Sequence, residues 1–216
     1  MNTTRFLALH HVGGTYNDPF ASSINATAKQ IDDWHKIRPD FIGYYAHLSS
    51  LGFYGAYTIF IERTGKWTQF RKVGEETMSQ RGYNFNTVAI CMAGNFIKKN
   101  GIPIDTPTLE QMMTYKTLAI ALLDNNRTML DKLGVVIAPN TEIKITPANI
   151  HKHSYYQPNT ECNALPDSWG RDLLSDHIRG YGNLQMVYAS ILELAARITR
   201  FRKIGATTYD CNVQRG

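Results

Sequence analysis

Residues 5–14 read RFLALHHVGG. The apolar run is short and stops at Gly13-Gly14, a turn signal, so it reads as a buried strand rather than one face of a helix. It ends on two adjacent histidines, which places side chains with metal-binding and proton-transfer chemistry at the tip of a rigid element. Successive side chains of a strand face opposite ways, so only one of His10 and His11 can point into a given site.

Outward from this strand the pattern alternates. In TAKQIDDWHKI, Thr27 and Gln30 have capping-box spacing, and Ile31 and Trp34 share a face, which predicts a helix over 28–37 ended by Pro39. GAYTIFIERTGKWTQFRKV (55–73) predicts two strands around an RTGK turn, and NTVAICMAGN (86–95) a further buried strand. DTPTLEQMMTYKTLAIALLDNN (105–126) predicts a helix with a threonine cap, Pro107 in its first turn and a stripe along Leu109, Met113, Lys116, Ile120 and Leu123. GVVIAPNTEIKI (134–145) is strand-like, with a turn at Pro139-Asn140.

Strands interleaved with helices imply an α/β domain over 1–170, with a central mixed β-sheet flanked by helices. The last part differs. Leu184, Val187, Ile191, Leu194, Ile198 and Phe201 alternate steps of three and four, a heptad seam closed by Arg197, Arg200, Arg202 and Lys203. Residues 171–216 are therefore expected to form a helical C-terminal extension. A single helix of this length is marginal without packing. Three fates are open for it: docking on the first domain, self-association with a second copy, or lying on an anionic membrane surface.

The chain has 216 residues, 43% hydrophobic and 19% charged, with a net charge of +5. That balance fits a globular protein drawn to polyanions such as an acidic cell-wall polymer. The basic residues are scattered, which argues against nucleic acid. Three widely spaced cysteines, Cys91, Cys162 and Cys211, make no disulfide framework. MNTTRFLALHHV lacks a signal-peptide core, and no segment approaches the roughly 20 apolar residues of a membrane span. The expectation is cytoplasmic synthesis without a signal peptide and no stable membrane insertion.

Residues 150–163 read IHKHSYYQPNTECN. Zinc takes nitrogen and sulfur ligands, and hydrolytic sites use three protein ligands, leaving the fourth position to water. His153 and Cys162 lie close enough in sequence to serve one ion from a single loop, and His10 is the candidate third ligand.

The order of these pieces, LHHVGG, IDDWHK, YTIFIERTGKW, RGYNFNTVAICMAGNF, TLEQ and then a histidine and cysteine separated by eight residues, resembles the zinc-dependent N-acetylmuramoyl-L-alanine amidase family, which includes phage lysozyme-type endolysins and peptidoglycan recognition proteins. The resemblance covers about residues 6–166, with an insertion around 40–53. It implies zinc ligands at His10, His153 in the I-x-x-H pattern and Cys162 in the T-x-C pattern. It implies catalytic roles for Tyr57 and Thr160, and substrate contacts from Tyr83, Asn84 and Asn86. The chain departs from the family pattern at Thr58, where a histidine is usual, at Asn163 after the cysteine, and in MSQRGYN, where a histidine often precedes GYN. The spacing leaves His151 a rival to His153. His35, His47 and His177 have no motif support and read as structural or surface residues.

The implied activity is hydrolysis of the amide between N-acetylmuramic acid and L-alanine in bacterial peptidoglycan. Two settings fit: a phage-type endolysin acting on the wall after release, and a cytoplasmic enzyme recycling muropeptides. A non-catalytic peptidoglycan-binding module is the third reading, against which Cys162, His10 and Tyr57 argue.

Overall fold

The computed structural model describes residues 2–13, 24–37, 47–96, 98–99, 102–103, 105–156, 158, 168–175 and 177–178. Pro39, Thr160, Cys162 and the seam from Leu184 to Phe201 lie outside these residues. The chain divides into two compact units, Met1–Leu174 and Ser175–Gly216, and the expected boundary at 170 falls inside a short helix of the first.

The elements run β1 (Asn2–Thr4), β2 (Phe6–His11), α1 (Ala28–Ile37), β3 (Ile59–Ile61), β4 (Trp67–Gln69), β5 (Thr87–Met92), β6 (Lys98–Lys99), β7 (Ile102–Pro103), α2 (Leu109–Leu123), α3 (Arg127–Leu133), β8 (Thr141–Ile143), β9 (Ile150–Lys152), α4 (His153–Tyr156) and α5 (Trp169–Asp172). The main sheet has the order β4-β3-β5-β2-β9. It is parallel except for β4, which turns back on β3. The mixed α/β sheet expected from the sequence is therefore present.

The strand order explains where a site can lie. From β2 the chain leaves through α1 to β3, and from neighbouring β5 it leaves through α2 and α3 to β9, on the opposite side. Right-handed crossovers in opposite directions put α1 and α2 on opposite faces of the sheet. The carboxyl ends of β2 and β5 thus flank a topological switch point, where parallel sheets open a crevice. His10 is the penultimate residue of β2 at that point.

Local signals build the flanking helices. Thr27 and Gln30 satisfy each other's backbone N–H ahead of α1. Thr108 and Gln111 do the same for α2. Pro107 precedes this cap rather than sitting in the first turn. The buried face of α2 is Gln111, Tyr115, Leu118, Ala119 and Leu122, with Ile120 and Ala121, not the stripe through Leu109, Met113 and Lys116. The stripe fails because fully buried Gln111 is tied inward: its amide donates to the carbonyls of Ile61 and Ala93, fixing the rotation of α2 against the strand ends.

Several short elements were not legible in the sequence. α3 is capped by Asn126 and stopped by Gly134 in the left-handed region. β1 pairs with β8. β9 adds an edge strand to β2, pairing Leu7 with Ile150 and Ala8 with His151, in a stretch expected to be loop.

The α1 face of the sheet carries Phe60, Cys91 and Ala93 against Ala28 and Ile31, with Tyr57 and Trp34 packed on their margin. Leu7, Leu9, Ile59, Ile61, Val88, Ile90 and Met92 form the other set of strand side chains and are equally buried. No helix of the described residues is long and apolar enough to cross a membrane.

Candidate functional site

His10 pairs with Cys91 across the sheet, so it belongs to the face that α1 covers. Its neighbour His11 takes the opposite face, where its Nδ1 accepts the Phe96 N–H at 2.8 Å and its ring stacks on that phenyl. The alternation of the strand separates the two histidines as expected.

Around His10 the chain assembles three groups. The His153 ring lies with its centroid 4.4 Å from that of His10, and the Tyr57 ring 5.2 Å away. Gln80, with no exposed surface, sets its side-chain amide against His10 Nε2. The Gln80 side-chain oxygen accepts the hydroxyls of Thr77 at 3.2 Å and Ser79 at 3.0 Å, which ties the amide to its own loop. Burial, then the neighbouring His153 and His11, hold the His10 pKa well below the usual histidine range. The ring is neutral, the form in which imidazole ligates a metal.

His151 also sits on the α1 face, but its ring stacks on Tyr155 at 3.6 Å and meets Tyr156 edge-on. β9 ends one residue before His153, and α4 begins there, carrying His153 to His10. The structure brings His153, and not His151, into ring contact with His10.

Tyr57 reaches the α1 face because the sheet ladder is broken beside it. In regular alternation with Ile59 and Ile61 it would point the other way. At Thr58 the Ala89 N–H goes to the side-chain hydroxyl, and the Phe70 and Arg71 N–H groups share the Thr58 carbonyl, as at a bulge. Thr58, in the position where the sequence departs from the family pattern, thus shapes the backbone that aims Tyr57. The Tyr57 ring stands between those of His10 and His35, the latter 5.5 Å away.

The 77–86 loop holds the remaining candidates. Asn84 Oδ1 accepts the N–H groups of Ser79 and Gln80 at 3.1 and 2.7 Å, so it folds the loop that delivers Gln80. Asn86 accepts the Arg5 and Phe6 N–H groups at its carbonyl, while its side-chain oxygen is buried without a hydrogen-bond partner among the described residues. Tyr83, 39% exposed, packs on Phe6 and Tyr156. Periodicity does not mark Gln80; the signal that could have found it is its place in MSQRGYN, where the family often has a histidine.

Among the described residues no three His, Cys, Asp or Glu side chains cluster as a metal site; Cys162 and Thr160 lie outside them. The two described donors nevertheless suit zinc: imidazoles, one deeply buried, side by side at a strand end.

No family model matches the chain, and no curated protein does. Among solved structures it is similar to the N-acetylmuramoyl-L-alanine amidase LysC from Clostridium intestinale, at 17% identity over 80% of this chain and 84% of that one, with a TM-score of 0.46. It is similar to the Ph2119 endolysin of a Thermus scotoductus bacteriophage, at 15% identity over 80% and 86%, with a TM-score of 0.44. It is also similar to Drosophila PGRP-LB, at 16% identity over 82% and 81%, with a TM-score of 0.44.

Proposed function

We propose that this chain is a zinc-dependent N-acetylmuramoyl-L-alanine amidase that cleaves the bond between the lactyl group of N-acetylmuramic acid and the L-alanine of the stem peptide. The observation that carries the reading is the meeting of His10, His153 and Tyr57 at the carboxyl end of β2. His10, His153 and Cys162 would hold the zinc. When bound, zinc supplies Lewis-acid chemistry, polarising a carbonyl and acidifying water.

The chain's own residues do the rest. Gln80 fixes the His10 ring from one side, so the ligand is oriented before substrate arrives. Tyr57 offers a hydroxyl beside the ligand pair, suited to donate to the oxygen on which negative charge develops. Thr160 contributes a second hydroxyl. Tyr83, Asn84 and Asn86 belong to the wall that meets the polymer, with Asn84 acting by shaping its loop.

The test is product chemistry. Digested peptidoglycan should gain L-alanine amino termini and no reducing sugar ends; new reducing ends alone would show a glycosidase. Activity on intact sacculi supports an endolysin that reaches the wall after release, whereas activity confined to soluble anhydro-muropeptides supports a recycling enzyme. Binding without new amino termini supports a recognition module.

A further inference from the structure

We propose that Asp32 and His35, one turn apart on α1, are positioning residues for Tyr57, acting through the three peptide groups that precede it. The inference rests on the amidase reading for what Tyr57 does, and on the fold for how it is held.

Residues 54–56 lie outside every strand, and their N–H groups are received by helix side chains instead of a neighbouring strand. Asp32 Oδ1 accepts the N–H of Tyr54 at 2.5 Å and of Gly55 at 3.0 Å. His35 Nδ1 accepts the N–H of Ala56 at 3.0 Å. Residues three apart on a helix present side chains to the same strip of surface, which is why one helix can take three successive donors. An accepting Nδ1 carries no proton, so the neutral His35 ring keeps its proton on Nε2.

The carbonyls of the segment are engaged from the other side. Gly55 accepts Arg71 Nε at 2.8 Å, and Ala56 accepts the Met78 N–H at 2.9 Å. Arg71 is fully buried. Gly55 is pressed so closely on Phe70 that a Cβ there would overlap the ring. Five hydrogen bonds to four residues therefore fix the peptide groups leading into Tyr57. His35, itself only 7% exposed, also packs its ring 5.5 Å from that of Tyr57. It sets both the backbone before the tyrosine and one wall of its ring. Displacing a transition-state donor by about 1 Å costs on the order of 100-fold in rate, so this clamp bears on turnover rather than on binding.

The test uses full-length, zinc-loaded protein. His35→Phe keeps a ring but removes the acceptor; it should lower kcat about 10- to 100-fold with KM and zinc content unchanged. His35→Asn, whose side-chain oxygen can accept the Ala56 N–H, should restore most of kcat. In a Tyr57→Phe background, His35→Phe should cause no further loss, because the group it positions is gone. Should His35→Phe fail to fold, Asp32→Leu against Asp32→Asn makes the same comparison. In wild-type protein the amides of residues 54–56 should exchange with solvent as slowly as those of β3. An equal loss in both backgrounds, wild-type kcat in His35→Phe, or open-loop exchange at all three amides overturns the proposal. A wild type that releases no L-alanine termini overturns the amidase reading instead, and slow exchange at 54–56 in that sample would show the clamp standing without it.

Discussion

The imidazole rings of His10 and His153 stand 4.4 Å apart, one at the end of a central strand and the other at the first residue of a helical turn beyond an edge strand. β9 makes this meeting possible: its pairing with β2 runs through Leu9 and Lys152, so His10, still within β2, and His153, the first residue beyond β9, lie at the same level.

That relationship separates the two candidate ligands. His153→Ala should lose bound zinc, as should Cys162→Ala, while His151→Ala should keep it, because His151 packs on Tyr155 instead. Metal analysis of the three purified variants checks this; retained zinc in His153→Ala with loss in His151→Ala would reverse the assignment.

Tyr57→Phe removes a hydroxyl and leaves the ring packed between His10 and His35. It should keep zinc and stability while kcat falls on the order of 100-fold, the usual cost of one transition-state donor. Steady-state kinetics with metal content measured on the same sample decides it, and unchanged turnover would reduce Tyr57 to packing.

Gln80→Leu should destabilise the metal-free protein by about 1–3 kcal/mol, since the Thr77 and Ser79 hydroxyls lose their shared acceptor and buried His10 loses its amide partner. Urea denaturation in the presence of a chelator reads this separately from metal affinity.

Glu75 ties Ser50 to Lys72. Partial burial pushes its carboxyl upward, but the Ser50 and Lys72 N–H groups, the Ser50 hydroxyl and the Arg71 guanidinium together hold its pKa below the usual glutamate value. A folded-state pKa lowered in this way contributes stability that is complete above the unfolded value and is lost as pH falls through the folded one. Glu75→Gln should therefore be less stable than wild type at neutral pH, with the difference shrinking below about pH 4.5. Denaturation midpoints of both proteins from pH 7 to pH 3 measure it; a constant difference would show that ionisation of Glu75 plays no part.

Elements written locally were legible without tertiary information. The capping boxes at Thr27–Gln30 and Thr108–Gln111, the RTGK turn and the apolar runs of β2 and β5 determined two helices, a hairpin and two central strands. Strand alternation at the end of β2 set His10 and His11 on opposite faces. These follow from backbone donors that must be satisfied within a few residues and from side-chain periodicity, both of which sit in contiguous sequence. Tertiary structure alone decided the rest. β9 is three residues long and acquires its strand geometry from β2; α2 takes its rotation from Gln111 reaching Ile61 and Ala93; Tyr57 turns to the site because the ladder breaks at Thr58; and Gln80 meets His10 only because Asn84 folds its loop. Each of these depends on a hydrogen bond or ring contact with a partner placed by another part of the sheet, and that placement has no local signature.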